Sequence, residues 1–309
     1  MKQKNKLQIT LITSFITLFS LSFNVNADAL SDKIAACTAA MNNGDLAGAI
    51  SASNDILKLD SKNRDGLLCK GRALGAQGEY SEALTTLEMA AKESQPGFEQ
   101  IISHIFIGNL HKNNNKYAAA IAAYNASLKI SEAEKNDKFK RINLNLMGDT
   151  HTQNNDLNAA LASYQAGSKL AMNDNERAEN FEHLGATYSA LNLHDAAIEY
   201  QLKATLMQER AGTRDDYANA TLALGRVYTQ AKDYPAAENT YAKLIKFSKD
   251  NGSAYYETKA NYGLAQTKAA EGDNNTAKSM MTDALKVAKN MGEADLAAEI
   301  DLSLKKLNP

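Results

Sequence analysis

The stretch Gly78-Glu79-Tyr80-Ser81-Glu82-Ala83-Leu84 decides how the rest of the chain reads. A turn-forming glycine is followed by an aromatic two positions on and an alanine three beyond that. The pattern returns as Gly44-Asp45-Leu46 with Ala49, Asn115-Lys116-Tyr117 with Ala120, and Asn155-Asp156-Leu157 with Ala160. It continues as Asn192-Leu193-His194 with Ala197, Lys232-Asp233-Tyr234 with Ala237, and Gly272-Asp273-Asn274 with Ala277. Seven copies in register point to a repeat architecture, because self-similarity at a fixed period marks stacked units.

Seven residues before each copy stands a mostly small residue: Cys37, Gly71, Gly108, Gly148, Gly185, Gly225 and Ala265. Four residues after the motif alanine comes Ser53, Leu87, Tyr124, Tyr164, Gln201, Tyr241 or Met281. This spacing describes two amphipathic helices per unit, with core positions at i, i+3, i+4 and i+7. Leu144, Met147, Gly148 and His151 show the first helix; Ala160, Leu161, Tyr164 and Gly167 show the second. The small residue admits the second helix at close range. The polar turn between them (Asn113-Asn114-Asn115, Asn154-Asn155-Asp156) suits the backbone angles of a tight connection.

The residues Phe181-x-x-Leu184-Gly185-x-x-Tyr188, then Gly78-x-Tyr80-x-x-Ala83, then Tyr164-x-x-Gly167 resemble the tetratricopeptide repeat family. The resemblance spans about residues 30 to 291. It implies an all-α, right-handed α-solenoid of seven helix–turn–helix repeats plus a C-terminal capping helix. The units fall near 30–63, 64–97, 101–134, 141–174, 178–211, 218–251 and 258–291, with a cap at 294–307. Fifteen helices are expected. The motif alanines step by 34, 37, 40, 37, 40 and 40 residues. The longer steps resemble the repeat subtype of about 40 residues with extended second helices. Glu299, Asp301, Lys305 and Lys306 give the last helix the polar outer face that a terminal cap needs.

Composition agrees with a folded helical chain. Of 309 residues, 44% are hydrophobic and 23% charged, Trp is absent and Pro occurs three times. The net charge of −2 offers no cationic excess for phosphates, so no nucleic-acid partner is expected. The first 27 residues differ from the rest. Lys2, Lys4 and Lys6 precede an uncharged run from Leu7 to Ala27, ending in Val25-Asn26-Ala27. That is the form of a cleaved signal peptide of bacterial type. An uncleaved anchor is the alternative, since the run of 21 residues could span a bilayer. Gln8 and six Ser or Thr residues within it favour cleavage. The mature domain, 28–309, is then expected to be soluble and exported, either periplasmic or secreted.

Chemistry-bearing motifs are sparse. Cys37 and Cys69 lie on first helices of adjacent units and could form a disulfide; two small buried residues is the competing reading. His111 and His151 occupy equivalent slots, but that slot holds Tyr188 and Tyr228 elsewhere, so packed rings are expected and no metal. Gly71-x3-Gly75-x2-Gly78 lacks the Lys-Ser/Thr of a phosphate loop. No nucleophile–base motif is present, so neither an enzyme nor a cofactor is expected.

In the family resembled, first helices line a concave face that holds a partner peptide or helix. The residue after each small slot is expected there: Thr38, Arg72, Asn109, Asp149, Ala186, Arg226 and Gln266. One turn earlier come Leu68, Ile105, Asn145, Glu182, Leu222 and Tyr262. Arg72, Asn109, Asn145, Asp149, Glu182, Arg226, Tyr262 and Gln266 are therefore the candidate peptide-binding groove. The expected function is an exported protein–protein interaction scaffold. A membrane-anchored envelope assembly factor or periplasmic chaperone is the alternative, and a small-ligand binder or enzyme the remaining one. A membrane enters only if the N-terminal segment is uncleaved.

Overall fold

The structure is a computed structural model and describes residues 30–307. The segment read as a signal peptide, 1–27, lies outside the described residues. Fifteen helices run through the described residues. They are α1 (30–42), α2 (Leu46–Leu59), α3 (Arg64–Gln77), α4 (Tyr80–Glu93), α5 (Phe98–Asn113), α6 (Tyr117–Ala133), α7 (Asp137–Gln153) and α8 (Leu157–Ser168). Then follow α9 (Asp174–Ala190), α10 (His194–Ala211), α11 (Arg214–Gln230), α12 (Tyr234–Asp250), α13 (Ala254–Glu271), α14 (Asn274–Met291) and α15 (Ala294–Lys306). Odd-numbered helices are the first of each pair and even-numbered ones the second; α15 is the cap. This is the all-α architecture expected from the repeat.

One turn design serves all seven pairs. Gly44, Gly78, Asn115, Asn155, Asn192, Lys232 and Gly272 all carry positive φ, from 58° to 102°. The next residue donates its N–H to a carbonyl five residues back, in the bonds Glu79 to Leu74, Lys116 to His111, Asp156 to His151 and Asp233 to Tyr228. This is the Schellman termination, which needs a left-handed residue at its centre and satisfies the last carbonyls of the helix. The residue after the left-handed one then caps the second helix. Asp45, Asp156, Asp233 and Asp273 each accept a backbone N–H three positions on. Glu79, Lys116 and Leu193 hold the same position without a side-chain cap.

Packing follows the same register. All seven motif alanines and all seven residues of the small slot are buried. A Cβ added at Gly108 would stand 2.4 Å from the Tyr124 ring; at Gly148, 2.5 Å from Tyr164; at Gly225, 2.5 Å from Tyr241. The glycines therefore exist to receive a ring from the second helix against their bare backbone. Tyr241 is held from two sides, since a Cβ at Gly263 would also meet it at 2.5 Å. Where the ring is replaced, Gln201 fills the slot and donates through Nε2 to the Ala220 carbonyl at 3.2 Å. Helix lengths vary along the chain: α3 and α4 have 14 residues each and α13 and α14 have 18 each, whereas the second helix α8 has only 12.

The chain divides into two compact units, one up to residue 139 and one from residue 140. In unit 1, Leu67, Leu68, Leu74, Leu87, Ile107 and Leu110 form the main cluster. Beside it Cys37 and Cys69 are joined in a disulfide that ties α1 to α3, with 6.4 Å between their Cα atoms. In unit 2, clusters centre on Tyr164 with Leu184, Tyr241 with Leu244, and Met281 with Ile300. The last of these joins the cap helix α15 to α13 and α14. Among the described residues no helix is long and apolar enough to cross a membrane.

Two measurements check this account. Lys232 bears a side chain at a left-handed position, which costs about 1 kcal/mol, so Lys232→Gly should raise unfolding stability and Gly78→Ala should lower it. Urea melts read both. Replacing Cys37 and Cys69 together by Ala opens a loop of 32 residues, which loop entropy values at about 3–4 kcal/mol. Unchanged denaturation after this double substitution would contradict a constraining role for the bond.

Candidate functional site

The small slot and the residue after it separate cleanly. Cys37, Gly71, Gly108, Gly148, Gly185, Gly225 and Ala265 are buried, while Thr38, Arg72, Asn109, Asp149, Ala186, Arg226 and Gln266 are half-buried or exposed. A row of side chains on the first helices is therefore left over after packing is complete. The slot one turn earlier behaves differently. Asn145 is 6% exposed and Tyr262 5%. Leu68 and Leu222 are buried with them, and only Ile105 and Glu182 remain half-buried. Most of that second slot belongs to the helix layer: the Tyr262 hydroxyl is hydrogen-bonded to Ser303 Oγ of the cap helix at 2.7 Å.

In unit 1 the row presents Arg72 and Asn109. The Arg72 guanidinium lies 4.7 Å from the centroid of the Phe106 ring. Asn109 Oδ1 accepts a hydrogen bond of 2.7 Å from the Tyr124 hydroxyl. These groups border a pocket of ≈ 260 Å³ whose lining also includes Leu87, Leu110 and Asn113. Burial without a counter-charge pushes the Arg72 pKa below its ordinary value. His111, one of the two equivalent histidines, meets the Tyr80 hydroxyl through Nδ1 at 2.9 Å and is a packed ring with its pKa lowered mainly by burial.

In unit 2 the row is acidic at Asp149, and the slot one turn earlier adds the half-buried Glu182. The Tyr164 hydroxyl crosses Gly148 to donate to Asp149 Oδ1 at 2.7 Å. The His183 ring stacks on Tyr164 at 4.5 Å and brings Nδ1 to 3.9 Å from the same carboxylate. Burial raises the Tyr164 pKa, and the Asp149 hydrogen bond raises it further. Glu182 accepts a bond of 2.9 Å from Gln208 Nε2. Burial raises its pKa, and the Gln208 bond offsets part of that. Arg141, 8% exposed in its side chain, binds Glu179 at 2.6 Å and Glu176 at 3.4 Å. Arg226 is exposed beside the buried Tyr241, whose pKa burial pushes up to about 12. Gln266 is half-buried on α13. A cleft of ≈ 380 Å³ between α13 and α14, lined by Glu257, Asn261, Asp283 and Val287, includes none of the row.

Phe106, His183 and Gln208 were not among the residues expected from sequence. Phe106 and His183 share one signal. Each sits 34 residues after the row residue it touches, Arg72 and Asp149, at the position two before the next small slot. Gln208 lies near the end of α10, beyond the repeated motif, and nothing in the pattern marks it.

Glu182 yields a pH prediction. Its raised folded pKa means that the fold binds this proton more tightly than the unfolded chain. Its stabilising contribution is whole below the ordinary glutamate range and is lost as pH climbs through the folded value. Glu182→Gln should therefore melt higher than wild type at neutral pH and converge with it in acid. A constant gap between the two across pH 3 to 7 (a span set around the ordinary glutamate pKa of about 4.3) would show that the carboxyl is not perturbed.

Comparisons with known proteins agree with the fold. Tetratricopeptide repeat family models match residues 102–134 and 176–250. No curated protein sequence matches the chain. The solved structures it resembles include the apo form of RapI, 13% identical, with a TM-score of 0.68 over 91% of this chain and 82% of that one. A STAND signal-transduction ATPase with a tetratricopeptide repeat sensor, from Pyrococcus horikoshii, is 14% identical with a TM-score of 0.65. That match covers 85% of this chain, which spans only 41% of the ATPase. PilW, a type IV pilus biogenesis factor, is 16% identical with a TM-score of 0.57 over 74% of this chain and 96% of that one. At these identities the likeness is one of fold, an all-α helix-hairpin array, and the family models place tetratricopeptide repeats within it at residues 102–134 and 176–250.

Proposed function

We propose that the protein is an exported interaction scaffold that holds an extended segment or helix of a partner protein against its first helices. The observation that carries this is the leftover row. In each repeat the helices pack through the buried small slot, while the neighbouring residue stays half-buried or exposed, polar or charged at every position but Ala186. Polar groups mixed with apolar ones on a helical face suit capture of peptide backbone and side chains. The repeats support a binding role, since stacked helix pairs offer extended surfaces.

Export is supported by two features. The N-terminal basic and uncharged segments have the form of a signal, and the Cys37–Cys69 disulfide suits an oxidising compartment. The periplasm or the outside of the cell is the place this reading assigns.

The test is a cross-linked pull-down of the tagged protein from the exported fraction, run beside Arg226→Glu combined with Gln266→Glu. A partner recovered with wild type and lost with this variant, at equal yield and equal melting temperature, is the expected result. Partners retained by the variant would move binding away from this part of the row. A chain found only in the reducing cytoplasm would remove export.

A further inference from the structure

We infer that the pocket beside Arg72 receives an acidic side chain, with an apolar neighbour, from within an extended partner segment; this rests on the scaffold reading above. Arg72 carries an uncompensated charge. The described ion pairs of unit 1 fall on Lys33, Lys58, Lys62, Arg64 and Lys70, not on Arg72. A half-buried guanidinium gives up hydration and needs an anion to recover it. Stacking on Phe106 at 4.7 Å covers one planar face and leaves the N–H edge, the geometry that takes a carboxylate with two parallel hydrogen bonds.

The surroundings fit the same ligand. Tyr124 donates to Asn109 Oδ1, which fixes the amide and leaves its Nδ2 as a donor toward an incoming oxygen. Leu87, Leu110 and Phe106 supply apolar lining. The volume of ≈ 260 Å³ is below that of a drug-sized ligand site and suits one or two side chains. The face continues past the pocket at Ile105, half-buried one turn back on α5, while Leu68 on α3 is packed into the core beneath it. A bound chain therefore runs through rather than ending there, which assigns the carboxylate to an aspartate or glutamate side chain and not to a chain terminus. The walls are also held in advance. Cys69 lies three residues before Arg72, and Cys37 one turn before the lining residue Met41, so the disulfide clamps α1 to α3 beside the pocket.

The experiment is a selection on the full chain with a random dodecapeptide library fused at its C-terminus, so that no free carboxy-terminus is offered. It is run on wild type, Arg72→Met and Ala76→Phe. Ala76 lines the pocket at an exposed helical position, so its enlargement blocks the pocket without removing the charge. Circular dichroism melts confirm that all three fold. The expected result is enrichment of peptides with an acidic residue beside an apolar one on wild type alone. A selected peptide should bind at least about tenfold more tightly than its Glu→Gln or Asp→Asn counterpart, as a charge-assisted pair warrants, and Arg72→Met should abolish that ratio. Peptides enriched without acidic preference, or the same acidic peptides on Arg72→Met, overturn the assignment and leave peptide capture standing. Binding that appears only with synthetic free-acid peptides and not with amidated ones moves the carboxylate to a chain end and overturns it too. No enrichment on any protein overturns both this inference and the scaffold reading for unit 1.

Discussion

The contact between a bare helical backbone and a tyrosine ring governs the rest of this structure. At Gly108, Gly148 and Gly225 a single Cβ would fall within 2.6 Å of a ring atom of Tyr124, Tyr164 and Tyr241. Helices this close interlock through their side chains and cannot slide without losing dense packing. The ring also carries a hydroxyl past the glycine to the next residue of the first helix. Tyr124 thereby meets Asn109, and Tyr164 meets Asp149. The packing contact and the orientation of the surface row are one arrangement, because a ring seated on residue n places its polar end beside residue n+1.

The turns make that contact repeatable. A left-handed residue, a Schellman bond and an N-cap within three positions fix the angle at which the second helix returns. Asn115, Asn155 and Asn192 hold the left-handed centre with the same φ of 58°. Lys232 holds the conformation with a residue that does not favour it, and here the cap Asp233 and Pro235 in the first turn of α12 compensate. Local signals and tertiary packing thus agree at each repeat, which is what lets weakly similar copies form the same hairpin.

The fold was legible because it rests on short-range rules applied seven times. Glycine, aromatic and alanine at fixed offsets give the turn, the ring and the close approach without knowledge of distant residues. The exposure of the first slot of the candidate row was legible for the same reason: it is the neighbour of a buried position on a helix. The second slot was harder. Asn145 and Tyr262 lie one turn away along the same helix, yet burial there depends on the adjacent pair and on the cap, as the Tyr262–Ser303 bond shows. Contacts between repeats need the register of one unit on the next, and that register is not local. Helix starts show the same limit: α9, α11 and α13 begin about one turn before the repeat boundaries read from sequence, because their first turns carry caps rather than core residues.

The register between repeats also explains how one scaffold acquires different surface chemistry. Arg72 with Phe106 and Asp149 with His183 are the same pair of positions, 34 residues apart. In unit 1 the pair sets a cation on a ring and leaves it without an anion. In unit 2 it sets a carboxylate between a tyrosine hydroxyl and an imidazole, and Glu182, next to His183 in sequence, adds a second, half-buried acid. Neither exchange alters the small-slot contact (Gly71 on Leu87, Gly148 on Tyr164) or the turn, so these two positions can change charge while the fold is held by others. Selectivity for a partner can therefore be written at the slot after the small residue and at the slot two before the next one. An acidic residue belongs opposite Arg72 by this logic. The face of unit 2 at Asp149 and Glu182 asks for the reverse: a cation there would draw the Glu182 pKa down, offset its desolvation, and so gain most where the empty surface is least satisfied.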